Sequence, residues 1–330
     1  MRALVVHEFG PLEQHRIEQV PAPAIKDSEV LIDVQAIGLN FPDTLMLQGK
    51  YQTRPDRPFV PGRDAAGIVA MTGAQVTRVK PGDRVLSQVA TGAFAEQLVA
   101  PESRCFVMPE RLDFNSGAAM VTSYNTAYVA VVIRGNVKPG ETVLVTGASG
   151  GVGLACVQVA RAKGARVLAG VTSKEKGDVA LAGGAEALID LSAPDLRESL
   201  RQQVFAVTKG KGVDAVFDPV GGDVFDAALR ALGYAGRMVI IGFASGRIPE
   251  AKGHYILLKN ISVVGAPLDI HFKMEPQVME AAVADLFSMY DKEQIKPEVM
   301  RTFPLEQIHV AMDLLVRRQV KGKIVLTTGR

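Results

Sequence analysis

The sequence predicts an α/β protein: a doubly wound parallel sheet inserted in a β-rich domain. Three observations predict it. The chain up to residue 122 carries short β-prone runs punctuated by Gly and Pro. From Thr142 to Val264 candidate strands alternate with helical stretches. A last β-prone run, GKIVLTT, follows two amphipathic stretches. At roughly 100–200 residues per domain, a 330-residue chain is expected to hold two domains.

The first runs are ALVVHEF, EVLIDVQAIGL, AAGIVAMTG and DRVLSQV, separated by the turn signals FGP, VPAPA and VKPGD. Many short strands with frequent turns indicate a barrel or sandwich. The texture changes near residue 122, where SYNTAYVAVVIRG reads as a helix that VKPGE ends. Strands then follow at 142–146, 166–171, 187–190, 214–218, 237–242 and 262–266, with helical stretches between most of them. Such alternation implies parallel strands joined by right-handed crossovers, and six strands match a full dinucleotide-binding (Rossmann) fold. EPQVMEAAVADLFSMYDKEQI and PLEQIHVAMDLLVRRQV read as amphipathic helices, and GKIVLTT as a strand that rejoins the first domain. The expected division is 1–122 and 266–330 as an outer catalytic domain, with 123–265 inserted as a nucleotide-binding domain.

Composition excludes several function classes. The formal charge of +2 gives no footprint for nucleic acid. No run of about 18 apolar residues predicts a membrane span. The start, MRALVVHEFG, is too short in apolar residues for a signal core, and Cys105 and Cys156 form no disulfide framework, so the cytoplasm is the expected compartment.

The strongest local signal is TVLVTGASGGVGLACVQVARAKGA. A strand runs into Ser149, Gly150, Gly151 and Val152, and then into a helix whose Val152, Ala155, Cys156, Val159 and Ala160 share one face. Glycines let the backbone approach a pyrophosphate, and the helix N-terminus offers free N–H groups. A Gly-rich turn needed only for packing is the bland alternative. About 20 residues on, where a site for NAD usually has an acid, the chain reads GVTSKEK. Thr172, Ser173 and Lys176 suit a 2′-phosphate and favour NADPH, although Glu175 is also present and lysines often simply start a solvated helix. For a catalytic zinc, His7, His15, His254, His271 and His309 include no close pair, and neither cysteine has a partner at metal spacing. No metal site is expected.

The runs GLNFPD, QGKYQTRPDRPFVPGRDAAGIV, VKPGDRV, VKPGETVLVTGASGGVGLACVQVA and VDAVFDPVGGDVFDAALRAL resemble, in that order, the zinc-free quinone oxidoreductase branch of the medium-chain dehydrogenase/reductase superfamily. The resemblance covers nearly the whole chain. It implies a GroES-like catalytic domain, an inserted Rossmann domain, a cleft between them, NADPH as cofactor, and a homodimer paired through SVVGA. Zinc-dependent relatives carry a ligand Cys near Leu39–Asn40 and a His-Glu pair where this chain has Arg63-Asp64; both are lost. The implied cofactor contacts are Thr126, Ser149, Gly150, Gly151, Val152, Thr172, Ser173, Lys176, Gly242, Phe243, Ala244, Gly265, Ala266, Pro267, Arg318 and Lys323. Relatives often have Tyr after the acid of the third strand; Leu191 stands here instead.

The implied reaction is hydride transfer to a small-molecule quinone or α,β-unsaturated carbonyl. Negative charge builds on the acceptor oxygen, where a donor stabilises it. Asn40 and Tyr51 are the expected donors. Related enoyl-thioester reductases place a tyrosine like Tyr51 in a similar M-x-Q-G-x-Y run. Two readings stay open for each: Tyr51 is a proton donor or an aromatic lid, and Asn40 is a donor or a turn residue bonding its own backbone. Asp43 and Arg63 are expected to form a structural ion pair. The alternatives for the whole protein are an enoyl-thioester or haloacrylate reductase, or a nucleotide-binding protein without turnover.

Overall fold

Residues 29–38, EVLIDVQAIG, bury side chains along most of their length, because this strand pairs with three others and lies at the centre of its sheet. In the computed structural model, which describes residues 1–329, the chain begins with β1 (Arg2–Val5), β2 (Arg16–Gln19), this strand β3 (Glu29–Gly38) and the short helix α1 (Phe41–Leu47). It continues through β4 (Asp64–Thr72), β5 (Arg84–Gln88), β6 (Gln97–Pro101) and β7 (Cys105–Val107). Helix α2 (Phe114–Tyr128) starts nine residues earlier than SYNTAYVAVVIRG indicates. Its first turn is held by Asp113, which accepts from Ser116 N at 2.9 Å and Ser116 Oγ at 2.7 Å, a side-chain cap hidden in a polar stretch. A π-helical turn, Val129–Arg134, carries it to Gly135.

Six parallel strands follow: β8 (Thr142–Thr146), β9 (Arg166–Val171), β10 (Ala187–Asp190), β11 (Val213–Asp218), β12 (Leu232–Ile240) and β13 (Ser262–Gly265). Helices α3 (Gly151–Ala162), α4 (Lys174–Ala182), α5 (Leu196–Val207), α6 (Gly222–Ala231) and α7 (Gly253–Lys259) lie between them. The spatial order is β10-β9-β8-β11-β12-β13. Numbered from its own first strand this is 3-2-1-4-5-6, the order of the dinucleotide-binding fold. Strand β12 begins five residues before Arg237 because GYAG makes a bulge, with Ala235 at φ +58° and a register shift against β11. The buried core of this sheet includes Leu144, Leu168, Ile189, Phe225 and Met238.

Helices α8 (Leu268–Met274) and α9 (Pro276–Asp291) come next, followed by β14 (Val299–Pro304), α10 (Ile308–Val316) and β15 (Lys323–Thr327). Strand β15 pairs antiparallel with β3 and parallel with β14, so GKIVLTT joins the outer sheet, whose order is β14-β15-β3-β4-β5-β7 with β6 on β3. The two compact units are 1–122 with 297–330, and 123–296. The return to the outer domain therefore falls at 297 rather than 266. Helix α9 stays with the parallel sheet because Asp285 accepts from Tyr128 Oη at 2.8 Å and pairs with Lys163 at 2.7 Å. Among the described residues no helix is long and apolar enough to cross a membrane.

Candidate active site and nucleotide loop

In the outer unit, the end of β3, the start of α1, the start of β4 and the start of β15 bring together four buried polar side chains. Register places Gly38 of β3 against Asp64 of β4 and Val325 of β15. Asn40 therefore sits within reach of both neighbours. Its Nδ2 donates to Asp64 Oδ2 at 2.8 Å, with Gly38 O at 3.4 Å, and its Oδ1 accepts from Lys323 Nζ at 2.8 Å. Lys323 also donates to Leu39 O at 2.6 Å and stands 3.9 Å from Asp64. The other oxygen of Asp64 accepts from Thr122 Oγ1 at 2.5 Å, and Thr122 N donates to Asp64 Oδ2 at 3.1 Å. Burial pulls the Lys323 ammonium below the usual lysine range; the charges of Asp64 and Asp43 oppose that.

Asp43 is fully buried in the first turn of α1. Its Oδ2 accepts from Asn40 N at 2.8 Å, while its Oδ1 has no hydrogen-bond partner. Burial first, and the nearby charge of Asp64 second, push its carboxyl up to about 7. Arg63 acts on Asp43 through its charge, and donates from Nη1 to Tyr51 Oη at 3.4 Å. The structure thus ties Asp43 to the Asn40 backbone rather than in a hydrogen-bonded pair with Arg63. Tyr51 is half-buried and the Arg63 guanidinium lies 6.0 Å from its ring centroid.

This geometry reassigns two residues. Asn40 has its carboxamide oxygen on Lys323 and its amide hydrogens on Asp64 and Gly38 O, so it has no donor left for an acceptor oxygen. It positions Asp64 and Lys323 instead. Lys323 is buried with its ammonium on internal acceptors, which removes it from the cofactor contacts. The reason is topological: β15 is an interior strand of the outer sheet, and its first residue points into the polar cluster. Asp64 was visible beside Arg63 in the sequence, but nothing local announced Thr122 as its partner.

In the inserted unit, β8 runs into Gly147, Ala148 and Ser149, and Gly150 is the N-cap of α3 with no side-chain cap. A Cβ on Gly153 would meet Gly147 O at 2.1 Å, so the loop closes on the helix only with glycine there. A Cβ on Gly150 would meet nothing nearer than 3.6 Å, which leaves its outer side open. The uncapped helix start and open glycine side fit a dinucleotide pyrophosphate. At the end of β9, Thr172 and Ser173 are exposed; Ser173 Oγ caps α4 by accepting from Lys176 N at 3.4 Å, and Lys176 Nζ donates to Thr172 Oγ1 at 3.3 Å. Gly242, Phe243 and Ala244 form the turn after β12, held by Gly242 N and Ala244 N on Asp218 O and Pro219 O at 3.4 and 3.1 Å. Gly265 and Pro267 are exposed around buried Ala266 at the end of β13. These residues share the carboxyl edge of the parallel sheet, where such folds bind ligands. Thr126 is buried in α2, and Arg318 is exposed after α10 in the outer unit.

Asp218 anchors that edge and was not foreseen. It is fully buried, accepts from Thr146 Oγ1, and takes Val220 N at 3.0 Å and Gly221 N at 3.1 Å. Its carboxyl is pushed up by burial, against these hydrogen bonds.

Comparison with known proteins places this architecture. Residues 26–110 match the alcohol dehydrogenase GroES-like domain family, and residues 151–284 the zinc-binding dehydrogenase family. The chain is 36% identical to quinone oxidoreductase-like protein 2 homolog of Nematostella vectensis, over 99% of this chain and 89% of that protein. It is 33% identical to Homo sapiens quinone oxidoreductase, over 99% and 97%. The chain belongs to the quinone oxidoreductase branch of the medium-chain dehydrogenase/reductase superfamily. As a member of that branch it superposes on a mycobacterial protein complexed with NADPH at a TM-score of 0.93, with 32% identity over 99% of this chain and 100% of the other. It superposes on Escherichia coli quinone oxidoreductase complexed with NADPH at 0.89, with 29% identity over 99% and 100%.

The zinc that one matched family is named for does not suit this quinone oxidoreductase relative. Around Asn40 the donors are amide and carboxylate oxygens without Cys or His, and a lysine ammonium already occupies the acceptors. Among the described residues no group of three His, Cys, Asp or Glu is placed to hold a metal ion.

Proposed function

We propose that this protein is an NADPH-dependent reductase that delivers hydride to a quinone or other α,β-unsaturated carbonyl without zinc. The observation that carries the reading is the end of β9, where Thr172, Ser173 and Lys176 cluster, with Glu175 as the one acid of that turn. Complexes of two structural relatives with NADPH support it.

When bound, NADPH supplies the hydride; the chain supplies place and charge. The glycine loop and the α3 N-terminus hold the pyrophosphate, and Lys176 with Thr172 and Ser173 holds the 2′-phosphate. The turn 242–244 and residues 265–267 border the same edge. In the outer unit, Tyr51 is the proposed donor to the acceptor, and its oxygen receives Arg63 Nη1 at 3.4 Å. Asn40, Asp64 and Lys323 keep that region fixed. The buried thiols Cys105 and Cys156 are unpaired, as suits a cytoplasmic protein. The edge strand β13 and the exposed Leu257 and Leu258 of α7 support a homodimer.

NADPH oxidation followed with 1,2- and 1,4-quinones, simple enones, 2-haloacrylate and crotonyl-CoA tests the proposal. Consumption with quinones or enones, retained after dialysis against a chelator, is expected. Preference for crotonyl-CoA or 2-haloacrylate would make it an enoyl-thioester or haloacrylate reductase. NADPH binding without consumption on any acceptor would leave only a nucleotide-binding role.

A further inference from the structure

Strand β11 ends on Asp218 and β8 on Thr146. The pairing of Phe217 with Val145 brings these next two residues side by side at the carboxyl edge of the sheet. Asp218 is shut off from water and takes donors from two directions. From β8 comes Thr146 Oγ1; from its own loop come Val220 N at 3.0 Å and Gly221 N at 3.1 Å. The loop 219–222 is held on its other side as well. Pro219 O accepts from Ala244 N at 3.1 Å, Val220 O from Ser245 N at 2.8 Å, and Arg247 O from Gly222 N at 3.1 Å. A Cβ at Gly147 would lie 3.0 Å from Val220 Cγ2, so the same loop packs against the glycine loop. It stands between the segments 147–153 and 242–247, and Asp218 ties it to Thr146, the residue that leads into the first of them.

We infer that Asp218 is a positioning residue for the cofactor: through Thr146 and the 219–222 loop it sets the spacing between the glycine loop and the 242–247 turn. This role presupposes the proposed reading of the edge as the NADPH site. NADPH reaches both segments at once, so a spacing fixed in the free protein lowers the ordering cost of binding. The 2′-phosphate end is different. Its proposed residues, Thr172, Ser173 and Lys176, follow β9, and β9 and β11 flank β8 on opposite sides. Asp218 therefore governs the whole dinucleotide and spares its adenosine 2′-phosphate end.

Two ligands separate this role from a merely structural one. Dissociation constants are measured for NADPH and, by competition, for adenosine 2′-monophosphate, which lacks the pyrophosphate and the nicotinamide. Asp218→Asn turns amide hydrogens toward one of the donors that the carboxylate accepts. It is expected to weaken NADPH by about 10-fold, the value of one hydrogen bond to a charged group, and to leave adenosine 2′-monophosphate within about 2-fold of wild type. Thr146→Val cuts the link to β8 and keeps the loop amides on the carboxylate. A loss of about 3-fold for NADPH is expected, with the same split between ligands. Thr146→Ser, which keeps the hydroxyl, is expected to bind NADPH like wild type. The two Thr146 variants carry the test if Asp218→Asn does not fold. Unchanged NADPH affinity in the folded Asp218→Asn and Thr146→Val proteins would make Asp218 a stability residue alone. Equal weakening of both ligands would mean a disturbed sheet edge rather than a lost spacing. Either result would overturn the inference and leave the reductase reading intact. A wild-type protein that does not bind NADPH would overturn both.

Discussion

The ammonium of Lys323 stands 2.8 Å from the carboxamide oxygen of Asn40, across 283 residues of chain. That contact fastens the last strand of the protein to the turn after β3. It also makes a buried cation the centre of the region where metal-dependent relatives hold zinc. Two carboxylates, Asp43 and Asp64, lie around it. Removing one member of such a group strands the others without compensation.

Lys323→Met is therefore expected to destabilise the protein by about 3–5 kcal/mol, since Asp64 and Asn40 would stay buried without their cation. Urea unfolding measures the loss. At temperatures where the variant is folded, its Kd for NADPH is expected to stay within about 2-fold of wild type, a difference near 0.4 kcal/mol. A selective loss of NADPH affinity with unchanged stability would return Lys323 to the cofactor site.

Asp43 predicts a pH dependence of stability. Its folded value of about 7 lies above the ordinary carboxylate range, so the folded protein binds a proton that the unfolded chain has released. The contribution is fully present below about pH 4, the unfolded value, and is lost as pH rises toward 7. Above that, the buried carboxylate is charged. Asp43→Asn keeps an acceptor for Asn40 N and cannot ionise. Its stability relative to wild type is expected to rise between pH 5 and 7.5 by about 1–3 kcal/mol. Denaturation midpoints at those pH values check it; a constant difference would show that Asp43 does not titrate there.

The reach of sequence reasoning follows the range of the forces involved. The glycine loop was legible because strand, turn and helix start are set by neighbouring residues, and the strands at 142–146, 166–171 and 187–190 fall on the same residues in the structure. Helix α2 began too late in the reading, because its start depends on one Asp113 cap in an otherwise unpatterned stretch. The pairing of Lys323 with Asn40 was illegible. It is created by β15 lying against β3, and no local pattern carries that register. Asn40 was read as an expected donor to the acceptor oxygen, and only its partners reveal that its amide hydrogens are spent.

Lys176 is proposed to set the cofactor preference. Its ammonium is exposed enough to turn from Thr172 Oγ1 toward a ligand phosphate, and Ser173 holds the backbone of the same turn. Lys176→Ala is expected to raise Kd for NADPH by about 5- to 30-fold, the value of one charge-assisted hydrogen bond at 1–2 kcal/mol. NADH, which lacks the 2′-phosphate, should be affected less than about 2-fold. Titrations with both nucleotides decide it, and an unchanged ratio would remove Lys176 from the phosphate site.

Gly150 and Gly153 separate the two demands on the nucleotide loop. At Gly153 an added Cβ would lie 2.1 Å from Gly147 O and 2.7 Å from Gly147 C, atoms of backbone that cannot move alone. Gly153→Ala is expected to cost about 1–3 kcal/mol of stability through this overpacking, with nucleotide affinity falling as the loop shifts. Gly150 is different: its φ is −82°, which alanine adopts, and its Cβ position meets no atom nearer than 3.6 Å. Gly150→Ala should leave the melting temperature within about 2 °C of wild type, as expected for less than about 0.5 kcal/mol. If Gly150 faces the pyrophosphate, the same methyl group blocks close approach and weakens NADPH binding by about 10-fold or more, at least 1.4 kcal/mol. A Gly150→Ala protein that melts and binds like wild type would move the phosphate site away from this glycine, whereas loss of binding at full stability would assign the glycine's open side to the ligand.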